Sequence, residues 1–331
     1  MKAHVIYAFG EPNEFRTIDI PRASIGEGEV RVKVRASSVN AVDWKIRRGI
    51  AAVLAPDFPA VLHGDVAGVV EEVGIGVRQF KPGDEVYGCA GGVKGLGGAL
   101  AEYMSADAKL LAHKPASLSM REAATLPLVS ITAWEGLIER AAVKPGQRVL
   151  VHAGAGGVGH IAVQLAKWAG AEVYSTVSST EKMEVVRRLG ADAAINYKDQ
   201  TVSDYVQQYT DGKGFDIVFD TVGGENLDAS FQAAAVNGAV VSISTHSTHD
   251  LSLLHQKGLS LHVVFMLIPM LHNQSREKHG RILRNIADLV DAGKIRPLLD
   301  KQGYSFEEAS LAHRRLESGE AIGKVALECS W

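Results

Sequence analysis

Apolar and charged positions alternate in short runs along the first third of the chain. Val30-Arg-Val-Lys-Val-Arg35 sets valines on one face and cations on the other, the period of two expected of a strand with one wet face. Val66–Val73 is a more apolar run that stops at Gly74, and Phe80–Tyr87 holds a Pro-Gly turn before another short strand. Several short strands punctuated by Gly and Pro predict a compact β-barrel-like domain over residues 1–123. Pro115–Leu126 has helical spacing and leads into a different pattern.

From 124 to 266 strand-like and helix-like segments alternate. Strands are predicted at Val149–His152, Glu172–Val177, Ala193–Tyr197, Asp216–Thr221, Ala239–Ser244 and Leu259–Phe265. Helices are predicted at 158–169, 181–189, 201–209 and 225–235. That order specifies an α/β, doubly wound parallel sheet, with its ligand at the carboxyl ends of the strands. Beyond it, helices at Arg276–Ala292 and Phe306–Ser318 and a strand at Lys324–Glu328 suggest that 267–331 rejoins the first domain.

Composition narrows the classes. A length of 331 residues favours two domains over one core. A net charge of −3 gives no electrostatic attraction to nucleic acid or to an anionic membrane. Cys89 and Cys329 are the only cysteines, too few for a disulfide framework, and the N-terminus has no signal-peptide pattern, so a cytoplasmic setting is expected. Leu259–Leu271 is the most apolar stretch, but it is short and contains His262 and Pro269, so no membrane span is expected.

The strongest chemical signal lies in Arg148–Lys167, where a strand breaks into Gly154-Ala155-Gly156-Gly157-Val158-Gly159 and a helix follows with Ile161, Leu165 and Trp168 at helical spacing. Glycines admit a pyrophosphate close to backbone amides, and a helix N-terminus presents free N–H groups to it. Strand, glycine turn and helix together predict dinucleotide binding. The next strand ends Thr176-Val-Ser-Ser-Thr-Glu-Lys182, without a carboxylate at the ribose position. Ser178 and Ser179 can hydrogen-bond a 2′-phosphate and Lys182 can neutralise it, which favours NADPH; helix capping is the competing role for the serines. Glu181, the counter-signal, has its own reason to sit in a first helical turn.

Several segments carry a family resemblance: Ser38–Gly49, Gly64–Gly74, Lys81–Val86, Ile131–Leu137, Ala153–Gly159 and Gly323–Leu327. Together they resemble the zinc-independent quinone oxidoreductases, the zeta-crystallin type, of the medium-chain dehydrogenase/reductase superfamily. The resemblance implies a GroES-like β-barrel catalytic domain and a Rossmann cofactor domain. Zinc-dependent members place a cysteine where this chain has Asn40 and Gly-His-Glu where it has His63-Gly64-Asp65, so no metal is expected. His63, one residue out of register, is read as a loop histidine. The implied reaction is hydride transfer from NADPH to a quinone or another α,β-unsaturated carbonyl. A 2-enal or enoyl double-bond reductase, or a crystallin-like NADPH-binding protein without turnover, are the alternatives.

Asn40, Asp43 and Lys45 resemble the family's strand-end loop facing the nicotinamide. Lys45 stands where similar proteins often have a tyrosine; it either donates a proton to a developing enolate or is a solvated or phosphate-contacting lysine. Thr132, Tyr197, Ser244 and Phe265 fall where the family contacts its cofactor, with a helix-start hydroxyl and a plain strand-end tyrosine as the simpler readings of the first two. Trp44 and Cys89 are read as packing residues. Ser247-Thr-His249 is read as a solvated loop, and no Ser/His/Asp order suggests a hydrolase. The apolar edge Leu259–Ile268 suggests a homodimer paired through the last strand, as in the family.

Overall fold

The computed structural model describes residues 1–22 and 24–331, which divide into two units, 1–128 with 267–331, and 129–266. In the first unit Glu29–Val39 is the hub of a seven-stranded sheet. It pairs antiparallel with Asp65–Val73, Tyr103–Asp107 and, from the far end of the chain, Val325–Glu328. The predicted alternation holds, since Val30, Val32 and Val34 are buried while Arg31, Lys33 and Arg35 are not. At Gly68 the facing strand comes so close that a Cβ would lie 2.3 Å from the Lys33 carbonyl oxygen, which requires glycine at this irregular register. The Glu277–Asp291 helix is tied in by Tyr87, whose hydroxyl donates to the Leu283 carbonyl at 2.6 Å.

The second unit is a six-stranded parallel sheet. Numbered by their order in the chain, its strands run 3-2-1-4-5-6: Ala193–Asn196, Glu172–Val177, Arg148–His152, Phe215–Asp220, Ala234–Ser242 and Ser260–Val263. This is the doubly wound dinucleotide-binding topology, with its switch point between Arg148–His152 and Phe215–Asp220. The fifth strand starts five residues before its predicted start. Asn237, at φ +58, and Gly238 look like a turn in the sequence but form an irregularity within the strand. The sixth strand is shorter than predicted, and a helix at Ser252–Lys257, ended by Gly258 at φ +60, was not anticipated because its apolar positions are too few to show a period. Among the described residues no helix is long and apolar enough to cross a membrane.

Candidate active site

On the second unit, the glycine turn separates into two roles. A Cβ on Gly154 would lie 2.0 Å from Ser175 Oγ, and one on Gly159 would lie 2.2 Å from the Ala153 carbonyl oxygen, so both let helix and strand pack closely. A Cβ on Gly156 meets nothing nearer than 3.1 Å. Gly156 caps the Gly157–Trp168 helix without a side chain to accept the first-turn amides of Gly157, Val158 and Gly159. Those amides are what a pyrophosphate needs.

Beside the turn, buried His152 hydrogen-bonds Thr176 Oγ1 through Nδ1 at 2.9 Å, and burial lowers its pKa to about 4 against the pull of Asp220. Asp220, buried at the end of the neighbouring strand, accepts the Val222 and Gly223 amides at 2.9 and 3.0 Å and Asn226 Nδ2 at 2.8 Å, and so shapes the loop at the switch point. Neither residue stands out in the sequence, where Asp220-Thr-Val-Gly223 at a strand end is the available signal.

Ser179 caps the Thr180–Arg188 helix, its Oγ accepting the Lys182 amide at 3.3 Å. Ser178 and the side chain of Lys182, both half-buried at the carboxyl end of the second strand, remain the groups suited to a phosphate. Tyr197 follows the third strand and is 55% exposed. Ser244 lies two residues past the fifth strand, and Phe265 two past the sixth, rather than within them as predicted. Thr132 is buried late in the Pro127–Trp134 helix, not at its start.

In the first unit the strand Glu29–Val39 delivers Asn40 to the N-terminus of a helix, Ala41–Arg47, where a strand-end loop was expected. Asp43 reaches back to accept the Asn40 amide at 2.6 Å. Burial pushes the Asp43 carboxyl up to about 7, opposed by that hydrogen bond. Asn40 Nδ2 donates to Asp65 Oδ2 at 2.8 Å, while its Oδ1 accepts from the Lys324 ammonium. Lys324 also donates to the Val39 carbonyl at 3.0 Å and lies 3.4 Å from Asp65. Asp65 takes two further donors, Ser38 Oγ at 2.8 Å and the Leu128 amide at 2.9 Å. The ion pair is buried, so these surrounding hydrogen bonds are what make it tolerable.

This donor set does not fit zinc. The oxygens of Asn40 and Asp65 are committed to an ammonium, and Gly64 supplies no ring. Among the described residues no group of three or more His, Cys, Asp and Glu could hold a metal.

His63 lies in the loop between the strands Ala60–Val61 and Asp65–Val73, as expected, but within the protein interior. Fully buried at φ +72, it contacts His313 through Nε2 at 2.9 Å and Ser37 Oγ through Nδ1 at 3.1 Å. Arg47 fixes the direction of this chain, because a guanidinium only donates. Its Nε donates to His313 Nδ1 at 3.3 Å, so His313 Nε2 carries the proton toward His63. His63 Nδ1–H then donates to Ser37, whose hydroxyl donates to the Asp65 carbonyl at 2.7 Å. Burial lowers the pKa of His63 to about 3 and that of His313 well below its ordinary value, so both rings are neutral. Arg47 is anchored in turn by Glu317 and the Gly10 carbonyl.

Asn40 and Asp43 are therefore brought together in one buried cluster. Lys45, two residues along the helix, lies on a different face, half-buried with its Nζ 5.9 Å from the Trp44 ring centroid. Cys89 is buried in its strand, as a packing residue should be.

A doubly wound cofactor-type sheet in one unit, and a seven-stranded sheet with a buried polar centre in the other, define the two-domain oxidoreductase class. A family model described as alcohol dehydrogenase GroES-like domain matches residues 26–116, and one described as zinc-binding dehydrogenase matches 189–327. The chain is 37% identical over 310 residues to a 2-methylene-furan-3-one reductase of Solanum lycopersicum, covering 92% of this chain and 72% of that protein. It is 35% identical over 337 residues to a chloroplastic NADPH-dependent alkenal/one oxidoreductase of Arabidopsis thaliana, covering 99% and 79%. The crystal structure of Escherichia coli quinone oxidoreductase complexed with NADPH superposes with a TM-score of 0.88 at 28% identity, covering 99% of this chain and 100% of that one. The chain belongs to the quinone oxidoreductase family of the medium-chain dehydrogenase/reductase superfamily.

Proposed function

We propose that the protein is an NADPH-dependent reductase of quinones and α,β-unsaturated carbonyl compounds. The observation that carries this reading is the turn at Gly156–Gly159, where first-turn amides stand clear of any capping side chain. NADPH, when bound, supplies a hydride for an electron-poor carbon. The chain holds the pyrophosphate on that turn and the 2′-phosphate between Ser178, Ser179 and Lys182, with Tyr197 beside the adenosine end. Thr132, Ser244 and Phe265 serve the nicotinamide half.

Asn40 and Asp43 act by fixing the N-terminus of the Ala41–Arg47 helix, which carries Lys45. Lys45 donates the proton that completes reduction of an enone at the carbon next to the carbonyl. A quinone, whose product oxygens exchange protons with water, has less need of it. The names of the tomato and Arabidopsis relatives favour the enone.

The deciding experiment follows NADPH oxidation with 1,4-benzoquinone and, separately, a medium-chain 2-enone, and repeats both with Lys45→Ala. Enone turnover to the saturated ketone, lowered about 10²-fold or more in the variant, supports double-bond reduction with Lys45 as the acid. Turnover of quinone alone, unchanged in the variant, removes that role. If no acceptor oxidises bound NADPH, the crystallin-like binding role replaces the reading. Comparable affinity for NADH in a fluorescence titration would overturn the phosphate assignment.

We further propose a cytoplasmic homodimer paired along Ser260–Val263, where Val263 is 45% exposed and Phe265, two residues beyond the strand, 42% exposed. A monomer mass by light scattering would reject the dimer. The two free cysteines suit a reducing compartment, which cell fractionation tests.

A further inference from the structure

Residues 247–249 lie in a loop, with Ser247 and Thr248 exposed as the sequence suggested, but His249 departs from that expectation. His249 folds inward until its side chain is 8% exposed, and its ring lies edge-on to Phe231 with centroids 6.2 Å apart. Its Nδ1 is 2.9 Å from Asp228 Oδ1, on the Asn226–Ala233 helix, and its Nε2 is 2.5 Å from Ser247 Oγ. The carboxylate can only accept, so the Nδ1 proton points to Asp228 and the Nε2 lone pair faces the serine hydroxyl. Acid, base and alcohol thus stand in the order and at the distances by which a serine is activated for acyl transfer.

The surroundings suit a substrate. Ser247 is exposed, so water and an ester can reach it. It borders, with His249, a cavity of about 270 Å³ walled by Leu227, Phe231, Leu251, Leu261 and Val263. That is just below the ~300 Å³ at the small end of ligand pockets, so it suits a short acyl chain and not a long one. A site for hydride transfer requires none of this, and no residue of the cofactor turn takes part in it.

We propose that Ser247, His249 and Asp228 form a second, hydrolytic site that cleaves short-chain carboxylic esters. Ser247 Oγ attacks the ester carbonyl carbon, and its proton passes to His249 Nε2. The bond from the acyl carbon to the alcohol oxygen breaks, and the alcohol leaves with that proton. A water molecule, deprotonated by the same nitrogen, then attacks the acyl-serine, releasing the carboxylic acid and restoring the hydroxyl. Asp228 holds the ring in the required tautomer throughout.

The test uses the whole protein without nicotinamide, with p-nitrophenyl butyrate and p-nitrophenyl palmitate as probes. The butyrate is expected to be hydrolysed, the palmitate at least tenfold more slowly. Acid quenching should trap the butyryl group on the peptide containing Ser247, located by mass spectrometry. Ser247→Ala should lower butyrate hydrolysis at least a hundredfold, and Asp228→Asn less severely, with thermal unfolding followed by circular dichroism as the control for folding. Labelling of the unmodified protein by phenylmethylsulfonyl fluoride reads the same serine without any variant. Hydrolysis by Ser247→Ala at the original rate, or acyl and sulfonyl groups found on other residues or on none, would overturn the proposal.

Discussion

Asp43 offers a direct measure of how the buried polar centre responds to pH. Its carboxyl ionises at an ordinary value of 3.8 in an unfolded chain and is pushed to about 7 by burial in the fold. An acid whose pKa rises on folding favours the folded state fully below 3.8 and loses that contribution as pH climbs toward 7. The gap is about three pH units, which at ~1.4 kcal/mol per unit is about 4 kcal/mol, and about 3 kcal/mol of it falls between pH 5 and 8. Asp43→Asn keeps an oxygen to accept the Asn40 amide but cannot ionise. The variant should therefore gain on the parent protein by about 3 kcal/mol between pH 5 and pH 8, with the difference flat above pH 8. Urea unfolding of both proteins at several pH values, read at the transition of the unit containing Trp44, gives the comparison. Parallel stability curves across that range would show that Asp43 ionises near its ordinary value and that the ammonium of Lys324 compensates its burial.

The remaining predictions concern neighbouring groups. His63 is neutral in the fold, with a pKa of about 3 against 6.5 unfolded, so its contribution is complete above pH 6.5 and drains away as pH falls. His63→Asn, chosen because asparagine tolerates positive φ, should flatten the loss of stability between pH 6 and 4.5 by about 2 kcal/mol in the same urea assay. Gly154→Ala drives a Cβ into Ser175 and should cost about 1–3 kcal/mol of stability, seen as a lower melting temperature. Gly156→Ala, at φ −88, should melt normally yet bind NADPH at least tenfold more weakly by fluorescence. Asn40→Cys should retain no zinc after dialysis, because Gly64 offers no ring and Lys324 keeps its charge in place; one zinc per chain by emission spectroscopy would refute this.

What could be read from the sequence, and what could not, follows from the range of the interactions involved. The parallel sheet was legible because each buried strand announces itself within six residues: Glu172–Val177 matches its predicted bounds, and Arg148–His152 differs by one residue. The cofactor turn was legible for the same reason, since its glycines act on atoms a few positions away, and the capping role weighed for Ser179 is also local. Local pattern failed where a residue's neighbours misrepresent it. Asn237-Gly238 reads as a turn yet continues a strand, and Asn40–Arg47 reads as a loop because a helix with Asp43 and Arg47 both buried shows no amphipathic stripe.

The buried centre of the first unit lay further out of reach. Asn40, Asp65 and Lys324 come from three strands or their ends, and His63 meets His313 across 250 positions. Resemblance flagged Asn40 and the stretch His63-Gly64-Asp65 as the places where the zinc-dependent pattern is absent, but it could not say what took its place. Once the strand Val325–Glu328 pairs with Glu29–Val39, with Val325 opposite Val39, the preceding Lys324 is carried to the start of the Ala41–Arg47 helix. There its ammonium meets the carboxylate of Asp65 and the amide oxygen of Asn40. Strand register, a property of the whole sheet, thus decides which cation occupies the centre, and no window of sequence around Asn40 contains that information.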